Sequence, residues 1–321
     1  MAMSYNKFDT RSDVMKIQKL VPRGYCHGVV HAIKTIKALD TDKLKQPVTF
    51  LGMLIHNKLV NEHFQNKGIK ILHDPLKSRL ELLDLIDSGT VIFTAHGVSK
   101  QVIAKAKSKG LDIINTTCTD VEKSFDTITS YLMKDYKVLY IGKNGHPESE
   151  AACQIDKSVT LIETVKDIEN IQESFDKIAV TNQTTMSLYD VYSIYEAAQE
   201  KFPNIVLIDD ICDATKSRQE AVINQDKDNE LCYVVGDHLS NNTLKLSEIS
   251  IQKAGIPSKV IESVDDINLD DIMNLRKVSI TSGASTPTRV TKEVVDFLTQ
   301  FNSQDVSTHI IQSKITTNNV I

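Results

Sequence analysis

Three cysteines constrain what this chain can fold into, because all three stand in the same local pattern. Cys26 follows a short apolar run within Gly24-Tyr25-Cys26-His27-Gly28-Val29. Cys118 ends Leu111-Asp112-Ile113-Ile114-Asn115-Thr116-Thr117-Cys118, and Cys212 ends Ile205-Val206-Leu207-Ile208-Asp209-Asp210-Ile211-Cys212. The intervals are 92 and 94 residues. Each cysteine follows a β-branched run and precedes a stretch with helical patterning: Val29 to Leu39, Val121 to Leu132 and Arg218 to Ile223. A strand–Cys–helix unit therefore occurs three times.

Two further features keep step with the cysteines. Val48-Thr49-Phe50-Leu51, Val138-Leu139-Tyr140-Ile141 and Tyr233-Val234-Val235 each run into a glycine, at 52, 142 and 236. Val91-Ile92-Phe93, Ile178-Ala179-Val180 and Val278-Ser279-Ile280 each run into a threonine, at 94, 181 and 281. Weaker strands near Ile71, Leu161 and Val260 lie between them. Short apolar runs alternating with helical segments predict parallel sheets covered by helices. The expected fold class is α/β, with three similar parallel-sheet domains in a pseudo-threefold trefoil around a central site. The expected boundaries are 15–118 (the N-terminal strand plus the first cysteine unit), 119–210 and 211–301. Residues 1–14 and 302–321 are polar, lack periodicity and read as mobile tails.

Composition narrows the class. With 41% hydrophobic residues the chain can bury a sizeable core, and a net charge of −5 without a basic block argues against a nucleic-acid surface. The longest apolar runs are strand-length, which predicts no membrane span. The polar N-terminus lacks a signal-peptide apolar region, so a cytoplasmic location is expected. Five widely spaced cysteines do not suggest a disulfide framework; metal binding or catalysis suits some of them better.

Ligands in parallel α/β sheets gather beyond the carboxyl ends of the strands, and here those ends are polar. If the three units pack about one axis, Cys26, Cys118 and Cys212 converge. A cysteine at a helix N-terminus ionises more easily, and three thiolates suit a soft metal. Zinc wants four ligands and commonly uses Cys-x-x-Cys pairs, absent here. An iron–sulfur cluster held by three cysteines would leave one iron free for substrate. Cys153, heading a small-residue helix, and Cys232, inside a strand, read as packing residues. His56, His96 and His146, with Ser240, Asn242 and Ser285, would form a donor-rich, partly cationic wall suited to a phosphate or diphosphate. No G-x-x-x-x-G-K-[ST] loop is present, which disfavours ordinary nucleoside triphosphate binding. Glu148 is the best candidate acid, with Thr184 as a relay; Glu150 stays open as an alternative. The remaining histidines (His27, His31, His63, His73, His238, His309) read as surface or packing residues.

Taken together, Pro22-Arg23-Gly24-Tyr25-Cys26, Ile55-His56-Asn57-Lys58, Thr94-Ala95-His96-Gly97, Thr117-Cys118, Gly145-His146-Pro147-Glu148, Asn182-Gln183-Thr184-Thr185, Asp210-Ile211-Cys212, Ser240-Asn241-Asn242 and Thr281-Ser282-Gly283-Ala284-Ser285 resemble the 4-hydroxy-3-methylbut-2-enyl diphosphate reductase family. The resemblance runs in order over about residues 17 to 300. It implies three α/β domains around a central 4Fe–4S cluster held by Cys26, Cys118 and Cys212. It also implies two-electron removal of an allylic hydroxyl, giving isopentenyl and dimethylallyl diphosphates, the last step of the non-mevalonate isoprenoid pathway. By the same resemblance His56, His96, His146, Thr184, Ser240, Asn241, Asn242 and Ser285 hold the substrate, and Glu148 donates a proton with Thr184 and His146 beside it. Ferredoxin or flavodoxin supplies the electrons. Thr119 departs from the family's proline after the second cysteine, Leu244-Lys245 from an Asn-Arg pair and Ala151 from a glycine. Two other classes remain open: a non-redox dehydratase using a 4Fe–4S cluster on a phosphorylated substrate, and a zinc-binding protein without catalysis.

Overall fold

A computed structural model describes residues 15–321; the expectation for residues 1–14 lies outside the described residues. Strand β1 (Lys16–Lys19) opens the described chain. The first sheet then holds β2 (Val48–Leu51), β3 (Lys70–Leu72), β4 (Thr90–Phe93) and β5 (Asp112–Asn115), in the order β3-β2-β4-β5. The second holds β6 (Lys137–Ile141), β7 (Val159–Ile162), β8 (Ile178–Asn182) and β9 (Val206–Leu207), in the order β7-β6-β8-β9. The third holds β10 (Leu231–Val235), β11 (Ser258–Ile261) and β12 (Lys277–Ser282), and its fourth strand is β1, in the order β11-β10-β12-β1. Every pairing is parallel. Parallel sheets carry helices on both faces, so their inner strands are buried throughout. β2, β4, β8 and β10 are buried along their whole length, whereas the edge strands β1 and β5 are half-exposed.

β1 corrects the expected composition of the first unit. Lys16 to Lys19 pair in register with Lys277 to Ile280, so the N-terminal strand completes the sheet of the C-terminal unit. The reason is regular. β5, before Cys118, edges the first sheet, and β9, before Cys212, edges the second. The strand preceding each cysteine belongs to one sheet, and the helix following it starts the next unit. For Cys26 the preceding unit is the last one, so the chain closes a ring of three. One hydrophobic core accordingly spans the first and third units. It joins Ile33 and Ile36 of helix His27–Lys37 to Phe50 and Ile92 on one side and to Tyr233 and Ile280 on the other.

The segment after helix Thr288–Gln300 also departs from expectation. Val320 is fully buried in that same core, with Ile311, Ile315 and Ile321 packed against it. The Thr317 carbonyl meets His63 Nδ1 at 2.5 Å, and Arg289 Nη1 donates to the Asn319 carbonyl at 2.7 Å. Its apolar residues are too sparse to show a period, yet they fill gaps at the helix surface. Deleting residues 311–321 should lower folding stability by about 2–4 kcal/mol, the worth of one to two buried aliphatic side chains; an unchanged denaturant midpoint would contradict this packing. No helix of the described residues is long and apolar enough to cross a membrane.

Candidate active site

In each sheet the chain passes from one central strand to the edge strand beside it (β2 to β3, β6 to β7, β10 to β11) and then crosses back to the other central strand, so the order reverses between the two central strands. That reversal is where open α/β sheets bind ligands. The loops after those strands carry the predicted residues: His56 and His96 in the first unit, His146 and Thr184 in the second, Ser240 and Ser285 in the third. These tips meet in one cavity of about 690 Å³, counting the part open to solvent. Every site residue predicted from the sequence, including Cys26, Cys118, Cys212, Glu148, Asn241 and Asn242, lines it.

The cysteines occupy equivalent places. Each is the N-cap of its helix, His27–Lys37, Thr119–Leu132 and Asp213–Ile223, in extended conformation and with no side-chain capping bond. Each backbone N–H donates to the loop behind a central strand: Cys26 to the Ala284 carbonyl (3.0 Å), Cys118 to Ala95 (3.0 Å), Cys212 to Thr184 (3.1 Å). The repeated bond places the three sulfurs on the same cavity, one from each helix N-terminus. Burial pushes the Cys118 thiol up to about 11 and raises that of Cys212. Their ionisation therefore calls for positive charge, from a metal or from Arg218. Arg218 is buried beside Cys26 and Cys212 and donates from Nη2 to the Gly24 carbonyl at 2.7 Å. Among the described residues, the groups of possible ligands within 4.8 Å of one another are His56–His96–His146 and His27–Cys118–Asp120; the three cysteines are not such a group. That spacing exceeds the reach of one ion with sulfur bonds of about 2.3 Å and suits a polynuclear core. Gly28 leaves room for the Cys118 side chain: a Cβ there would stand 2.4 Å from Cys118 Sγ. Gly28→Ala should displace Cys118 and lower several-fold the metal that the chain binds when purified anaerobically; an unchanged metal content in that variant would contradict this reading of Gly28.

Glu148 is 1% exposed. It sits at the start of helix Pro147–Cys153, where Pro147 fixes the entering φ and His146 Nδ1 accepts the Glu148 N–H at 3.2 Å. Its Oε1 accepts from the Thr184 N–H (2.7 Å) and the Tyr140 hydroxyl (3.2 Å), and its Oε2 from Thr184 Oγ1 (3.0 Å). Burial outweighs these bonds and lifts the carboxyl from 4.5 to about 7, so the group is poised to deliver a proton near neutrality. A raised folded-state pKa means the native protein keeps a proton that the unfolded chain releases. Stability should therefore fall as pH rises from about 4.5 to about 7, by on the order of 3 kcal/mol. Glu148→Gln should flatten that dependence in denaturant titrations; an identical slope would contradict the shift. Glu150 borders a different cavity, which removes it as the alternative acid here.

The three imidazoles pack together, with ring centroids 4.5 Å apart for His56–His96, 5.7 Å for His56–His146 and 5.4 Å for His96–His146. Burial drops His56 to about 4 and holds His96 and His146 well below the usual range. The expected partly cationic wall is thus neutral until an anion arrives. Both ring nitrogens of His56, Nε2 of His96 and Nδ2 of Asn242 are buried without partners. Such atoms are costly unless a ligand completes them. Three histidines could also hold a single cation, but the Arg79 guanidinium bears on all three. Its positive field opposes a metal ion and favours an anion. Other predicted residues brace the site: Ser285 Oγ donates to the His56 carbonyl (2.9 Å), Asn242 Oδ1 accepts the Ala284 N–H (3.0 Å), and Asn241 Nδ2 donates to the Thr185 carbonyl (2.9 Å).

A family model described as LytB protein matches residues 17–299. The chain belongs to the LytB family. Relatives agree along their length. The 4-hydroxy-3-methylbut-2-enyl diphosphate reductase of Geobacillus sp. is 45% identical, over 94% of this chain and 96% of its own. That of Bacillus cereus is 47% identical, over 92% and 93%. The solved structure of the E-1-hydroxy-2-methyl-but-2-enyl-4-diphosphate reductase from Plasmodium falciparum superimposes with a TM-score of 0.82, at 28% identity and covering 96% of this chain and 97% of that one. The departures from the LytB family pattern prove local. Thr119 is the exposed first residue of its helix, and Ala151 is buried within helix Pro147–Cys153. Lys245 pairs with Asp190 (3.0 Å) and Glu248 (2.7 Å), tying the third unit to the second.

Sequence reasoning missed three residues at this site. Tyr140, inside β6, reads as a core aromatic, and only its hydroxyl reaches Glu148. Arg79 reads as the start of a surface helix. Arg218 begins Arg218-Gln219-Glu220-Ala221-Val222, a segment that shares in the family resemblance, but nothing in it points to a role at the site. The expected position of Cys153 is also corrected: it ends its helix rather than heading it.

Proposed function

We propose that this chain is a 4-hydroxy-3-methylbut-2-enyl diphosphate reductase, converting its substrate to isopentenyl and dimethylallyl diphosphates. The observation that carries the reading is a buried carboxyl held protonated near neutrality in the same cavity as three helix-capping cysteines and unpartnered imidazole nitrogens. Cys26, Cys118 and Cys212 would hold a 4Fe–4S cluster: the donors are soft, come one from each unit, and are spaced beyond the reach of a single ion. Bound there, the cluster supplies electrons and a Lewis-acidic iron for cleavage of the allylic C–O bond.

The protein's own groups do the rest. His56, His96, His146 and Asn242 turn their free polar atoms to the diphosphate, whose charge offsets the burial that keeps the imidazoles neutral. Ser240, Asn241 and Ser285 complete and brace that end. Glu148 gives its proton to the departing hydroxyl oxygen, which leaves as water, and a second proton, from the bound diphosphate, joins either end of the allylic group as the two electrons arrive. Thr184 fixes both carboxylate oxygens and can pass a proton along its hydroxyl, while Tyr140 holds Oε1 from the opposite side. Ferredoxin or flavodoxin delivers the electrons, in the cytoplasm.

The test is anaerobic purification followed by iron and sulfide analysis and a turnover assay with dithionite and a viologen. Iron and sulfide in equal amounts with strictly reductant-dependent loss of substrate hydroxyl supports the reading. Turnover without reductant would assign a dehydratase, and zinc without sulfide would remove the redox reading. In the same assay kcat should fall as pH rises past about 7, where Glu148 loses its proton; a rise over that range would exclude it as the acid.

A further inference from the structure

Behind the imidazole wall lies a second cavity, of about 980 Å³ counting the part open to solvent. It shares His56, His96, His146 and Asn241 with the first and is otherwise lined by different residues, among them Arg79, Lys143, Lys77 and His73. Arg79 is only 6% exposed, its Nε has no partner, and among the described residues no carboxylate lies within the 4 Å of an ion pair. A guanidinium taken out of water without a direct ion-pair partner is disfavoured unless something completes it. The backbone makes room for it: Gly52, at φ +97°, has no Cβ, and one there would lie 2.5 Å from Arg79 Nη2. The acidic groups around the cavity are already engaged. Asp74 pairs with Lys77 at 2.7 Å, and Glu150 Oε1 accepts from the Arg79 backbone N–H (2.7 Å) and Gln154 Nε2 (3.1 Å). Glu150 offsets part of the Arg79 charge without forming an ion pair with its guanidinium, and Lys143, exposed, faces the cavity beside it.

We infer that this cavity is a second anion site, separate from the one that holds the substrate, and that it takes a phosphate or diphosphate group between Arg79 and Lys143. Arg79 supplies planar paired donors suited to phosphate oxygens, and Lys143 an exposed point charge at the mouth. The site goes beyond the proposed reaction and does not depend on it. Its lining includes none of Cys26, Cys118, Cys212, Glu148 or Thr184.

Titration of the anaerobically purified protein with inorganic diphosphate, by calorimetry, tests this. Two sites per chain are expected. Lys143→Gln and Arg79→Gln should each weaken one of them about tenfold or more, as for loss of one charged partner of a bound anion, and the other only slightly, through the loss of a more distant charge; Asn242→Ala should weaken only that other one. Lys143 is exposed, so its replacement leaves the fold intact whatever becomes of Arg79→Gln. A single site per chain overturns the inference, as does a second site that Lys143→Gln leaves unchanged. If Asn242→Ala has no effect while Lys143→Gln does, the second site stands and the substrate reading of the first cavity fails.

Discussion

Replacing Glu148 by Gln should lower turnover roughly 10²–10⁴-fold, the usual worth of a positioned general acid. The amide matches the carboxyl in shape. It can still accept from the Thr184 N–H and the Tyr140 hydroxyl, and the Thr184 hydroxyl can rotate to accept from the new amine. Cavity, metal content and diphosphate binding should therefore persist, and KM should change little. What disappears is the one transferable proton in a group whose pKa burial lifts to about 7. The fall of kcat above that pH should vanish with it. A variant as fast as the parent would place the proton source elsewhere.

Cys212→Ser should have the larger effect: iron and sulfide should drop several-fold and activity should reach background. This substitution separates metal binding from folding because of where Cys212 sits. It is the N-cap of helix Asp213–Ile223 and makes no capping bond. Serine is among the best N-cap residues, worth about 1 kcal/mol over a non-capping one. The variant should thus melt at the same temperature as the metal-free parent or higher, while losing the visible absorbance expected of the proposed cluster. Unchanged absorbance would strike Cys212 from the ligand set. A lowered melting point together with normal iron content would make it a structural residue.

These two tests rest on features of different legibility. The cysteines could be read because a local pattern, apolar strand then helix, recurs at nearly constant spacing. The strand-end histidines and Glu148 could be read because polar residues directly after apolar strands have few structural uses. Tyr140 could not be: a tyrosine inside a buried strand looks the same whether its hydroxyl meets an acid or nothing. The neutral state of His56, His96 and His146 was equally hidden, since imidazole charge depends on burial and on Arg79, a residue from another part of the chain.

The sequence by itself determined the three-unit α/β architecture, the cysteine set and the residues that line the cavity. Strand and helix patterning and the chemistry of strand ends are properties of neighbouring residues. Tertiary structure alone decided that β1 closes the third sheet rather than opening the first, that residues 311–321 are docked, and that a lone guanidinium stands behind the histidines. Parallel strands pair across long stretches of chain and bury groups by what surrounds them in space. Partner and charge state are therefore set by contacts that no local segment contains.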